Sequence, residues 1–180
     1  MLSKHDLSVI SEEIILEKAR EVVTDEMILA IDPGDLNRDG SFKSESICRV
    51  RDGSQKQTVN GYPLMEVVAR DPDTGSTYPV ICRLYSYSDA KFASENREIM
   101  GAMYAVREQG MSDNWWVIDR GGDRKILWRE WLHNGFKVVV RVTDKRHWLW
   151  RKNKVTAQGI ARQLPTKHMG FLKRSSKKWP

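Results

Sequence analysis

Two short apolar runs, one on either side of the chain's middle, end in the same way. Met27-Ile28-Leu29-Ala30-Ile31 closes on Asp32-Pro33-Gly34, and Trp115-Trp116-Val117-Ile118 closes on Asp119-Arg120-Gly121-Gly122. An almost wholly apolar run of this length, bounded by a turn signal, reads as a buried strand. Each strand thus carries a carboxylate at its C-terminal end, just ahead of a glycine turn. A topology that makes the two strands parallel neighbours brings both carboxylates to one edge of the sheet. Such a pair repels strongly unless a cation lies between them, and oxygen-only ligands suit Mg²⁺ or Mn²⁺. Two such ions about 4 Å apart activate a water or a 3′-hydroxyl and stabilise the leaving oxygen of a phosphodiester. For either Asp alone the plainer reading is a cap on the loop after its strand. It is the matched pair that favours a metal site.

The rest of the first 144 residues supplies elements that can make those strands neighbours. Residues 11–23 read as a helix with Ser11 as N-cap and Glu12 and Glu13 in the first turn, where the helix dipole favours acids. The polar stretch 35–60 reads as a loop with a short helix. Residues 62–70 and 78–85 are β-rich runs around the turn-forming Asp71-Pro72-Asp73-Thr74-Gly75-Ser76, hence a hairpin. Residues 88–109 read as a helix capped by Ser88 or Ser94, with Ile99, Met103 and Val106 on one core-facing side and Gly110 at its C-terminal end. A second helix over 123–132, with Trp128 and Trp131 as core residues, precedes a strand over 136–142. The order α-β-β-β-α-β-α-β predicts an α/β or α+β domain. Its first three strands are antiparallel, and a helical crossover then sets the strand ending at Asp119 parallel to the one ending at Asp32.

Charge divides the chain of 180 residues, whose formal net charge is +6. Residues 145–180 hold eleven lysines and arginines and not one acid, whereas residues 1–144 hold nineteen basic and twenty-four acidic side chains. Trp148, Trp150, Phe171 and Trp179 are interleaved with the cations of the basic stretch. Cations for phosphates and flat rings for bases make a nucleic-acid surface. The competing reading is a solvated, poorly ordered tail, and charge alone fits RNA as well as DNA. Three segments follow: 1–24, 25–144 and 145–180. No apolar run approaches the roughly 18 residues of a membrane span, and the N-terminus lacks the apolar stretch of a secretory signal. Cys48 and Cys82, with no CxxC pair, are expected to be buried thiols in a reducing compartment.

Residues 28–148 resemble the catalytic core of a DDE transposase of the bacterial insertion-sequence type. The resemblance lies in Leu29-Ala30-Ile31-Asp32, in Val117-Ile118-Asp119-Arg120-Gly121 with its following helix, and in Gly135-Phe136-Lys137-Val138-Val139-Val140-Arg141. It covers about two-thirds of the chain. It implies a ribonuclease-H-like mixed sheet, with Asp32 and Asp119 as the first two catalytic acids and the ligands of Mg²⁺ (or Mn²⁺). It also implies DNA as partner, at transposon ends and target, a homodimer in a full-length protein, and a cytoplasmic, nucleoid-associated bacterial setting. From sign and proximity, Arg120, Lys125 and Arg141 are candidate phosphate contacts. Lys145, Arg146, Arg151 and Lys152 join them from the basic extension.

The family's third acid is a Glu on a late helix. The only Glu after Asp119 is Glu130, in the helix directly following the second acidic strand, so the expectation is a partial transposase core. Rival readings are another nuclease of the same fold, a catalytically inactive DNA-binding remnant, and a calcium module. The last rests on Asp35-Leu36-Asn37-Arg38-Asp39-Gly40, the first half of an EF-hand loop. Its twelfth position is Ser46 rather than a bidentate Glu. His5, His133, His147 and His168 have no metal-binding spacing and are expected at the surface or in loops.

Overall fold

The computed structural model describes residues 4–40, 44–143 and 146–165. They divide into two units, 1–141 and 142–180. The first holds α1 (Lys4–Val22), β1 (Ile28–Asn37), β2 (Cys48–Asp52), β3 (Gln57–Arg70), β4 (Thr77–Leu84), α2 (Glu95–Glu108), β5 (Trp115–Ile118), a 3-10 turn (Arg120–Gly122), α3 (Lys125–His133) and β6 (Lys137–Val140). The second holds β7 (His147–Trp150), β8 (Asn153–Thr156) and α4 (Ala157–Ala161).

The first unit is built on one mixed sheet in the order β2-β3-β1-β5-β6, with β4 also paired to β3. β1 to β4 are joined by antiparallel ladders, while β1, β5 and β6 run parallel. Antiparallel strands followed by parallel strands across helical crossovers make the ribonuclease-H-like α/β arrangement expected from the sequence. Parallel neighbours need such crossovers because a tight turn cannot reverse the chain twice. α2 carries it from β4 to β5, and α3 from β5 to β6.

All three longer helices pack on one face of the sheet. Leu29, Ile31, Met65, Val67, Ala69, Trp116 and Ile118 point there, into one core with Leu16 and Ala19 of α1, Ile99, Met103 and Val106 of α2, and Leu127 and Trp131 of α3. The expected core roles of Ile99, Met103, Val106 and Trp131 hold. Trp128 is half-buried, and its indole N–H donates to Asp123 at 3.1 Å. Arg83 of β4 joins two of the helices, pairing with Glu12 of α1 at 2.5 Å and lying 3.9 Å from Glu98 of α2. Its hydrogen bond to Glu12 raises the guanidinium pKa above its ordinary value. Alternate residues on the opposite face stay in water: Val68, Val117 and Val139 are exposed, and Trp115 is 52% exposed beside a fully buried Trp116.

Several local expectations are corrected. The stretch 35–60 is mostly strand: β1 continues through Pro33 and Gly34 to Asn37, and β2 and the start of β3 follow. β1 does not turn at Pro33 because the fourteen-residue β3 offers it partners down to Asn37↔Gly61. Gly61 permits that approach. A Cβ there would meet the Leu36 carbonyl oxygen at 2.2 Å. The EF-hand reading falls with it, since Asp35 and Asn37 belong to a sheet ladder rather than a calcium loop. α1 begins well before Ser11, and α2 is capped by Ser94, whose side chain accepts the Arg97 N–H. Cys48 is buried, but Cys82 is exposed, because its position in β4 faces away from the helices. His133 and His147 are exposed as expected; His168 and the His5 side chain lie outside the described residues.

In the second unit, β7 and β8 form an antiparallel hairpin followed by the short α4, capped by Thr156, whose hydroxyl accepts the Gly159 N–H. Residues 146–165 are therefore a folded hairpin and helix rather than an extended tail. Lys145 and the rings of Phe171 and Trp179 lie outside the described residues.

Candidate functional site

Sheet register decides whether the two aspartates meet. β1 and β5 are parallel, with Ala30 opposite Val117 and Ile31 opposite Ile118. The aspartates directly follow that last pair, Asp32 within β1 and Asp119 just past the end of β5, on neighbouring chain segments that leave strands about 4.8 Å apart. Asp119 keeps an extended backbone (φ −68°, ψ −169°). Strand alternation then puts both aspartates on the face opposite the helices, and both are exposed.

Their local settings differ. Asp119 caps the 3-10 turn: its Oδ1 accepts the Gly121 N–H at 2.6 Å. A Cβ on Gly121 would come within 2.9 Å of that oxygen. The capping role and the paired position therefore coexist in one residue. Asp32 caps nothing; it lies inside β1 with Glu66 as its partner on β3. Asp32 and Glu66 are thus paired acids on β1 and β3, and Asp119 follows the end of the neighbouring β5. Glu66 escaped the sequence reading because its strand partner is set by long-range register, although its polarity within an apolar run is a visible signal.

The turn that carries Asp119 is tied down by a residue the sequence reading also missed. Arg124, between the turn and α3, donates to the Gly121 carbonyl at 2.7 Å, to Asn96 Oδ1 at 3.0 Å and to Glu95 Oε1 at 2.9 Å. One half-buried guanidinium therefore fixes the loop after β5 to the first turn of α2. Gly122 is buried under Ile118, where a Cβ would lie 2.6 Å from Cγ2. On the helix-side face, burial and the charge of Glu95 raise the Asp35 carboxyl above its ordinary pKa, while a hydrogen bond from the Arg51 backbone pulls it down. Tyr85 and Tyr87 are likewise raised, chiefly by burial.

The candidate cations fall into two groups. Arg120 follows Asp119 in the 3-10 turn, Lys125 opens α3, and Arg141 donates its backbone N–H to the Ile118 carbonyl at 3.4 Å; all three are exposed. Arg120 and Arg141 therefore sit at the same strand ends as Asp119. Arg146, Arg151 and Lys152 belong to the second unit, with Arg146 half-buried and the other two exposed at the hairpin turn.

The donor chemistry of Asp32 and Asp119 is the kind a divalent ion takes. The donors are oxygens only, open to water, and two carboxylates with waters are a usual Mg²⁺ set. Among the described residues no three His, Cys, Asp or Glu side chains stand close enough to hold one ion. No described helix is long and apolar enough to cross a membrane.

No family model and no curated protein matches the sequence. Among solved structures, the chain is similar to one described as the Mos1 transposase paired-end complex with left transposon end. That similarity has 12% identity and a TM-score of 0.37, over 79% of this chain and 44% of that chain.

Proposed function

We propose that the chain carries out, or forms part of a protein that carries out, divalent-metal-dependent phosphodiester chemistry on DNA of the DDE transposase kind. The observation that supports this most directly is that Asp32 and Asp119 each follow the last pair, Ile31 and Ile118, of the ladder between adjacent parallel strands. Asp32 and Asp119 are the proposed ligands of Mg²⁺ or Mn²⁺. Bound there, the ion supplies Lewis-acid activation of an attacking hydroxyl and charge stabilisation at the leaving oxygen. The protein's own part is positional. The ladder ends at the Ile31–Ile118 pair directly before the two aspartates, Gly121 holds one oxygen of Asp119, and Arg124 anchors the loop. Arg120 and Arg141 offer positive charge to a phosphate at the same edge. The resemblance carried by residues 29–32, 117–121 and 135–141 favours transposition over plain hydrolysis.

Calorimetric titration with Mn²⁺ tests the ligand set. Asp32→Asn and Asp119→Asn are each expected to weaken binding at least tenfold and to abolish nicking of supercoiled plasmid. Unchanged Mn²⁺ affinity in both variants would remove the metal site. Cleavage without joining of a 3′-hydroxyl end would favour a nuclease of the same fold. DNA binding without cleavage would favour an inactive remnant.

A further inference from the structure

The hairpin of the second unit turns in an unusual way. Trp150 pairs with Asn153, so only Arg151 and Lys152 form the loop. Both have positive φ, 49° and 68°. A two-residue turn with positive φ at both positions is type I′, which favours Asn-Gly because L side chains rarely adopt that backbone. Here two long cationic side chains occupy it. Strained conformations of this kind persist where a position serves a purpose other than the turn itself.

Its surroundings say what that purpose is. The described residues 146–165 contain Arg146, Arg151, Lys152, Lys154 and Arg162 and no acid. Among the described residues Arg151 and Lys152 make no ion pair. The Arg151 guanidinium lies 5.6 Å from the centre of the Trp150 ring, which braces it at the tip. On one face of the ribbon His147 pairs with Thr156 and Leu149 with Lys154, and Leu149 is 81% exposed. On the other, Trp148 faces Val155. The result is a narrow two-stranded ribbon with an open apolar and basic face and a cationic tip.

We propose that the β7–β8 hairpin is a DNA-binding ribbon that enters the major groove of a B-form duplex, with Arg151 and Lys152 on backbone phosphates. A two-stranded ribbon matches the roughly 12 Å width of that groove. The major groove of A-form RNA is too deep and narrow for it. This goes beyond the carboxylate site: it concerns grip on the polymer, and it is measured without metal.

The test exchanges the two cations for the residues the turn prefers. Arg151→Asn with Lys152→Gly keeps the hairpin, since Asn-Gly is the favoured type I′ pair. Fluorescence anisotropy with a 20-base-pair DNA duplex, in EDTA, reads the affinity across a salt series. The double variant is expected to bind about tenfold more weakly at low salt, with a slope of log affinity against log salt shallower by about two. Its melting temperature is expected to be no lower than that of the parent. Lys18→Gln with Arg20→Gln, which removes two cations from α1, is expected to leave duplex binding unchanged. An unchanged slope in the hairpin variant, an equal loss in the α1 variant, or equal parent affinity for single-stranded DNA or double-stranded RNA would each overturn the proposal. Loss of metal-dependent cleavage with hairpin binding intact would count against the carboxylate reading alone.

Discussion

Asn114 is the residue through which the fold is most open to a quantitative test. It is 1% exposed, just ahead of β5, and its side-chain amide donates to the Thr24 carbonyl at 2.7 Å and to the Met27 carbonyl at 2.9 Å. These bonds join the loop between α1 and β1 to the start of β5, at the opposite end of the two strands from Asp32 and Asp119. Asn114→Ala removes both donors. The Thr24 carbonyl keeps a second partner, the Met27 N–H at 3.1 Å. The Met27 carbonyl loses the amide in a buried setting. One net hydrogen bond contributes about 1 kcal/mol, and an orphaned buried acceptor costs about 1–3 kcal/mol, so the loss is about 3 kcal/mol. For a chain of this size that lowers the melting temperature by roughly 6–12 °C. Asn114→Asp is expected to be worse at neutral pH, because it turns a carboxylate toward two carbonyls in a buried site. Urea denaturation followed by circular dichroism measures both. A loss below 1 kcal/mol for Asn114→Ala, or an Asp variant as stable as the Ala variant, would refute the clamp.

Three further outcomes follow from the geometry. Gly122→Ala puts a methyl group into the buried Ile118 side chain, and overpacking of this kind costs about 1–3 kcal/mol, read as a lower urea midpoint with an unchanged slope. Asp35 has its folded-state pKa raised by burial and then by Glu95. Stability associated with its protonated form is therefore lost as pH rises from the ordinary carboxylate value through the raised one. Asp35→Asn should flatten that part of the stability profile and raise stability at pH 7. Asp52 moves the opposite way, its pKa lowered to about 2, first by the Ser54 hydroxyl, then by the Gln55 backbone and Asn37. Its contribution is complete above the unfolded carboxylate pKa and is lost as pH falls through about 2. Carboxyl NMR titration should show this residue still ionised at pH 3, and a midpoint near 4 would contradict the turn geometry.

The sequence revealed most where local pattern and burial agree. The starts of β1 and β5, the hairpin around Gly75 and the α2 face with Ile99, Met103 and Val106 all follow from runs that bury one continuous side. It misled where long-range pairing overrode a local signal. Asp32-Pro33-Gly34 has the composition of a turn, yet β3 reaches far enough to hold it in a strand. β2 is five residues with three charges, so its inward Cys48 and Val50 form too short an alternation to stand out. That the two apolar runs before the aspartates are parallel neighbours was legible, but the different settings of the aspartates were not. Only the folded chain shows that Asp119 caps a turn while Asp32 lies within a ladder. Arg124 was likewise invisible, because its partners Glu95 and Asn96 lie almost thirty positions away.

The adjacent tryptophans of β5 have a practical consequence. Trp115 looks into water and Trp116 into the core, so successive indoles sample opposite sides of one sheet. An aqueous quencher such as acrylamide reaches the first and is shielded from the second. The difference in quenching between the parent and Trp115→Phe, which cancels the other six tryptophans, is then a local optical gauge of whatever lies against the helix-free side of the sheet.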